Sequence, residues 1–348
     1  MLRNNTISNK ILLERLAVAE KIIRETPIIR LDHEQIDLFA KLEFQNGVGS
    51  IKDRPAFWIL KRAIERGDVV PDTTIIESSS GNFACALATF CRFLRLKFIP
   101  VIDPFISPVN ESFLRSQCDR VVKVDVCDDS GGYLKTRIRT VNSLLSEFPG
   151  TSYWPNQYEN PDAMEAHYQL TAAEICKDLP DVDYVFIGVS SAGTVAGVSR
   201  RLKEHSADIK IIAVDAEGSV IFDQEPKKRR IPGIGSSIKP KLLSHAIIDE
   251  VVIVKEKDTI KACNQLLEQH GLFVGGSTGT VYSAIQQYFS DKDKFNGIRP
   301  RVLFFCCDRG TGYINNVFAA DLPVPARNGH GELKQVVVPN TISKVLVA

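Results

Sequence analysis

Asn46-Gly47-Val48-Gly49-Ser50-Ile51-Lys52-Asp53-Arg54-Pro55 joins an apolar run at residues 38–44 to a segment of helical period at residues 56–66. This order of strand, glycine-rich loop and helix repeats along the chain. Further strand candidates lie at residues 74–77, 98–102, 121–126, 184–189, 211–215, 251–254 and 302–306. Helix candidates lie between them at residues 83–93, 131–146, 161–176, 194–205, 259–270 and 281–289. Strands that alternate with helices predict an α/β fold with a parallel sheet and right-handed crossovers. Eight strands exceed one mononucleotide-binding half, so two α/β layers are expected.

The chain has 348 residues, with 43 Lys and Arg against 42 Asp and Glu, a net charge of +1. Its 44% hydrophobic content is enough for a sizeable core and excludes disorder as the main state. The charge balance gives no bias towards nucleic acid or membrane surfaces and leaves small molecules as the default partners. The N-terminus is charged throughout, without a signal peptide's apolar core, and no apolar run is long enough to span a membrane. The eight cysteines have irregular spacing and no Cys-x-x-Cys pair, so they read as reduced thiols of a cytoplasmic protein. The stretch after about Asp321 changes character; it reads as an appendage packed on the surface or on a second subunit, or as a disordered tail.

In open α/β sheets ligands bind beyond the carboxyl ends of the strands, where helix N-termini present free N–H groups. Three such junctions are rich in glycine and small hydroxyl residues: Glu77-Ser78-Ser79-Ser80-Gly81-Asn82, Ser190-Ser191-Ala192-Gly193-Thr194 and Gly275-Gly276-Ser277-Thr278-Gly279-Thr280. Singly each reads as a turn and N-cap; together they point to a phosphorylated ligand with further polar contacts. Neither G-x-G-x-x-G nor G-x-x-x-x-G-K-[ST] is present, which disfavours a dinucleotide or ATP. The six histidines show no metal-ligand spacing and no Ser/His/Asp signature, so neither a metal site nor a serine triad is expected. The adjacent Cys306 and Cys307 fall at a strand and read as core, on opposite faces. Asp53 is a candidate cap for the helix at 56–66 and Pro55 suits its first turn. Lys52 then sits at the sheet's carboxyl edge, either as a solvated loop lysine or as an amine that forms a Schiff base.

Lys41-Leu42-Glu43 followed by Asn46 and Gly49-Ser50-Ile51-Lys52-Asp53-Arg54 resembles the lysine motif of the cysteine synthase family. Ser79-Ser80-Gly81-Asn82 resembles that family's substrate-carboxylate loop, Ser190 to Gly197 its phosphate loop, and Gly275 to Gly279 its pyridine-nitrogen loop. The matches keep the family's order and cover roughly residues 38–313. The resemblance implies a fold type II pyridoxal 5'-phosphate enzyme with two three-layer α/β/α domains. The smaller, mobile domain would span 47–150, the larger, cofactor-anchoring one 1–46 and 151–320, with 321–348 as a C-terminal extension. It also implies a homodimer and β-replacement on a serine derivative. Lys52 would hold the cofactor and move the Cα proton, Asn82 would face the ring oxygen, and Ser277 the pyridine nitrogen. Ser190, Ser191, Ala192, Gly193 and Thr194 would bind the cofactor phosphate. Ser79, Ser80 and Gln157 would hold the substrate carboxylate, while Arg137 and Tyr158 are candidates for the leaving phosphate or a second substrate's carboxylates.

Residues 103–108, 131–138, 153–158 and 214–222 resemble a narrower branch of the family. That branch joins O-phospho-L-serine to L-glutamate through nitrogen, towards 2,3-diaminopropionate and siderophores. Phe83 and Ser190-Ser191 depart from the general pattern, which has a hydroxyl residue at the first position and Gly-Thr at the second. The alternatives are a cysteine synthase using sulfide and a catalytically inactive cofactor-binding regulatory protein. Lys227-Lys228-Arg229-Arg230 resembles the loop bordering the family's active-site mouth and reads as a solvated charged loop, with attraction of dianionic substrates as the functional reading.

Overall fold

In the computed structural model, the described residues are 2–128, 131–290 and 299–319. The expectation for the stretch 321–348 lies outside them.

In chain order the helices are α1 (Leu2–Glu20), α2 (Asp53–Arg66), α3 (Asn82–Leu94), α4 (Pro108–Gln117), α5 (Leu134–Glu147), α6 (Pro161–Ala166), α7 (Ala172–Asp178), α8 (Gly193–His205), α9 (Glu256–His270) and α10 (Gly276–Tyr288). The strands are β1 (Ile28–Leu31), β2 (Asp37–Lys41), β3 (Thr74–Ser78), β4 (Lys97–Ile102), β5 (Val122–Lys123), β6 (Ser152–Tyr153), β7 (Tyr184–Gly188), β8 (Lys210–Ala216), β9 (Glu250–Val254) and β10 (Arg301–Phe305). They form two sheets, a six-stranded one in the order β1-β2-β10-β7-β8-β9 and a four-stranded one in the order β5-β4-β3-β6. Every pairing is parallel except β1 with β2.

The central strands are buried on both faces, as a parallel sheet covered by helices requires. All five residues of β3 are buried, as are six of the seven in β8. Helix α2 lays Phe57, Leu60 and Ile64 into the core and ends at Gly67, whose positive φ of 82° lets its N–H close back on Ala63 and Ile64.

A buried ion network ties these parts together. Arg54 of α2 reaches Glu43 from Nε (2.7 Å) and Glu174 of α7 from Nη1 (2.5 Å), while Lys41 Nζ donates to Glu174 (2.7 Å) and to the Thr26 carbonyl (2.9 Å). Both cationic side chains are fully buried, so two positive and two negative charges balance out of water.

The helix expected over 161–176 is interrupted. A π turn at His167–Thr171 separates α6 from α7. Helix α8 crosses here so closely that a Cβ on Gly197 would stand 2.2 Å from the Met164 carbonyl oxygen. The widened turn carries His167 between Thr171 (2.9 Å) and Thr194 (3.2 Å), beneath the start of α8. The strand expected over 121–126 shrinks to two residues, and α1, α4, β1 and β6 have no counterpart in the sequence reading.

Candidate active site

The loop after β2 is shaped by Asp53. Its carboxylate accepts the N–H groups of Val48 (2.6 Å) and Gly49 (3.1 Å) and the Ser50 hydroxyl (3.3 Å). Asp53 therefore closes the glycine loop instead of capping α2, and Gly49 takes a φ of 117° that few other residues tolerate. Burial pushes the Asp53 carboxyl up to about 6 against those hydrogen bonds. Lys52 occupies the N-cap position of α2, pinned by the Ile51 N–H on the Cys307 carbonyl (2.8 Å). Its Nζ has no hydrogen-bond partner among the described residues, and burial lowers its pKa against the opposing charges of Cys307 and Asp308. An amine that sheds its proton more readily is a usable nucleophile and base.

Lys52 opens into a pocket lined by Asn82, Gly188, Ser190, Ser191, Ala192, Thr194, Gly233, Ser277, Cys307 and Asp308, among others. The structure thus brings residues from all four sequence motifs to one cavity. Ala192 takes a left-handed φ of 65° at the N-cap of α8 and offers no capping side chain. The backbone N–H groups from Ser191 to Val195 have no acceptor among the described residues. Uncapped amides at a helix N-terminus form a cradle for a dianion, so the residues present fit a cofactor phosphate. Ser190 turns away, its hydroxyl donating to the Gly235 carbonyl (3.0 Å).

Across the pocket, Gly275 and Gly276 begin α10 without side-chain caps, and Ser277 follows. Cys307 departs from the core expectation. It lies just beyond β10, its N–H on Thr278 Oγ1 (3.1 Å), and lines the pocket with a thiol that burial pushes up to about 12. Asp308 is the site residue that sequence reasoning missed. Its Oδ2 accepts from Asn82 Nδ2 (2.6 Å) and from the Tyr313 hydroxyl (2.9 Å).

The substrate candidates gather at the carboxyl ends of β3 and β4. Ser80 Oγ donates to Asp103 Oδ2 (2.9 Å), and Arg137 of α5 reaches both Ser80 Oγ (3.3 Å) and the Asp103 carboxylate (3.2 Å). Ser79 and Gln157 are buried. Burial pushes the Tyr158 phenol up, while the nearby Arg137 and Arg229 pull the other way. Glu77, at the end of β3, accepts from Ser78 N (2.7 Å) and Trp154 Nε1 (3.3 Å), and burial pushes its carboxyl up to about 7. Of the basic run, Lys227, Lys228 and Arg230 are exposed, as a solvated loop requires. Arg229 is half-buried and donates to the Ile234 carbonyl (3.2 Å) and Ser237 Oγ (3.3 Å). A second cleft, lined by Arg92, Arg95, Lys97 and Asp119, opens at the amino end of β4 and gathers none of the candidate residues.

A family model described as pyridoxal-phosphate dependent enzyme matches residues 19–308, and the chain belongs to that family. Pyridoxal phosphate is accordingly its cofactor. At closer range, the chain is 42% identical over 299 residues to an N-(2-amino-2-carboxyethyl)-L-glutamate synthase of Ralstonia nicotianae, spanning 84% of this chain and 87% of the relative. A protein of the same name from Cupriavidus metallidurans is 41% identical over 302 residues, spanning 85% and 88%. Among solved structures, an O-acetylserine dependent cystathionine beta-synthase from Helicobacter pylori has a TM-score of 0.77 at 28% identity, covering 85% of this chain and 96% of its own. A cysteine synthase from Entamoeba histolytica has a TM-score of 0.78 at 28% identity, covering 86% and 90%. The fold type II architecture follows from both sets. Among the described residues, no helix is long and apolar enough to cross a membrane.

Proposed function

We infer that this chain condenses O-phospho-L-serine with L-glutamate, replacing the β-phosphate by the glutamate nitrogen to give N-(2-amino-2-carboxyethyl)-L-glutamate and phosphate. The observation that carries this reading is the pair of relatives at 42% and 41% identity, both named for that product. The pocket supports it with an unpartnered lysine amine facing a dianion cradle. In the cell the product would feed 2,3-diaminopropionate and siderophore synthesis.

The cofactor, when bound, supplies an electron sink for the Cα carbanion. The rest falls to the chain. The amides of Ser191 to Thr194 and the dipole of α8 would hold the cofactor phosphate. Asn82 would donate to the ring oxygen and Ser277 would offer the ring nitrogen a neutral hydroxyl, which would favour elimination over transamination. Lys52 Nζ takes the proton from the substrate's Cα and returns it after glutamate has added at Cβ. Ser79, Ser80 and Gln157 hold the serine carboxylate, and Arg137, held by Asp103, with Tyr158 beside it, meets the leaving phosphate or the glutamate carboxylates. Closure of a lobe at 47–150 excludes water while the electrophile is exposed. We propose a cytoplasmic homodimer with each site inside one subunit.

A cysteine synthase reading is favoured by the fold neighbour named as a cysteine synthase. Purified protein given O-phospho-L-serine with equal glutamate and sulfide separates the two: mass spectrometry should find the glutamate adduct in excess. Cysteine as the sole product would overturn the proposal.

A further inference from the structure

Asp308 stands where three parts of the pocket meet. Its backbone bridges Ser50 of the lysine loop and its carbonyl accepts the Gly275 N–H (3.0 Å) at the start of α10. Its side chain then crosses to Asn82, 226 residues away at the start of α3 beyond the four-stranded sheet. Asp308 is 6% exposed. One oxygen serves two donors, Asn82 Nδ2 and the Tyr313 hydroxyl. The other, Oδ1, is buried without a hydrogen-bond partner and lies so close to Gly275 that a Cβ there would stand 2.0 Å from it.

A buried carboxylate oxygen without a donor is costly, and such groups persist in folded proteins for a reason that packing does not supply. Burial pushes the Asp308 carboxyl up against the hydrogen bonds from Asn82 and Tyr313; in its ionised form it can only accept, so Asn82 presents its NH2 to it. Lys52 lines the same pocket, its amine equally without a partner. Two unpartnered groups of opposite proton demand therefore share one cavity.

We propose that Asp308 is the positioning residue of this site. Through Oδ2 it sets the Asn82 amide towards the cofactor ring, and its charge acts across the shared pocket on the Lys52 nitrogen. One side chain thereby registers the loop that carries Asn82 against the loop that carries the lysine. The inference rests on the lysine-bound cofactor of the family and not on the acceptor, so it stands whether glutamate or sulfide attacks.

The test compares Asp308→Ala, Asp308→Asn, Asn82→Ala and the double variant Asn82→Ala/Asp308→Ala. Cofactor dissociation constants are measured by titrating pyridoxal phosphate into the apo-proteins, with visible spectra followed against pH. Loss of one charge-assisted hydrogen bond predicts about 10- to 100-fold weaker binding for Asp308→Ala. The part of that loss that runs through Asn82 is already gone in Asn82→Ala, so the double variant should bind weaker than Asn82→Ala by clearly less than the Asp308→Ala penalty. Asp308→Asn keeps an acceptor oxygen and the shape, so it should bind nearly normally while the pH midpoint of the visible band moves down. Penalties that multiply in the double variant, or a band midpoint unmoved in Asp308→Asn, would overturn the proposal.

Discussion

Glutamate 174 offers the sharpest test of how the lysine loop is held. It receives Arg54 Nη1 and Nη2, Lys41 Nζ and the Thr26 N–H, all buried. Replacing it with Gln keeps the shape but turns one of the two acceptor oxygens into a donor, and leaves the network with one unbalanced positive charge. Breaking a buried pair in this way costs about 3–5 kcal/mol. At roughly 2 °C per kcal/mol for a chain of this size, the melting temperature should fall by about 6–10 °C. The companion variant Lys41→Met/Glu174→Leu removes one charge of each sign, leaving Arg54 with Glu43. Charge-balanced apolar replacement is often close to neutral, so the double variant should melt well above Glu174→Gln. Thermal unfolding followed by circular dichroism, with saturating cofactor, reads both. Equal melting temperatures for the two variants would refute the charge-balance argument, and no loss in Glu174→Gln would refute the network's importance.

Other expectations follow from the same geometry. Gly197→Ala would drive a methyl group to 2.2 Å from the Met164 carbonyl, so it should cost about 1–3 kcal/mol and loosen cofactor binding by displacing α8; unchanged melting and binding would contradict the close packing. Arg229→Ala should raise the KM for L-glutamate several-fold and leave the reaction of O-phospho-L-serine alone unaffected; an unchanged KM assigns Arg229 to loop structure only. Stability should peak on the acid side of neutrality. Burial would raise Glu43, but Arg54 and Lys41 outweigh it and hold the carboxyl low, so its contribution is present above the unfolded value of about 4.3 and lost as pH falls through the folded one. Burial holds Asp53 and Asp215 at about 6 and Glu77 at about 7, so their ionisation weakens the fold as pH climbs from about 4 towards those values. Melting temperature measured across pH checks this; a value that stays flat or rises between about pH 5 and 7 would contradict it.

The strands and helices that surround the cofactor pocket were legible because they carry period and punctuation together. Residues 184–194 run from apolar strand to Ser-Ser-Ala-Gly turn to helix, and the structure follows that order. Helix α1 was not legible. Over residues 9–20, where its side chains are described, the buried stripe is Leu12, Leu16 and Ala19, while Ile11, Leu13 and Val18 face solvent, so the period is diluted. Strands β1 and β6 are too short to show alternation and exist through their partners. The π turn at His167–Thr171 answers the approach of Gly197 thirty residues on, which no local pattern records. Asp308 follows two cysteines just beyond an apolar strand and meets Asn82 only through the fold, so nothing near it in sequence marks it as part of the site.

The most direct test of the C–N bond-forming assignment is the visible spectrum of the purified holoenzyme, titrated with O-phospho-L-serine and then with L-glutamate or sulfide. The account predicts a chromophore that shifts with the serine derivative and returns on adding glutamate, with sulfide much less effective, and none of this in Lys52→Ala. A shifted spectrum that only sulfide restores would contradict it.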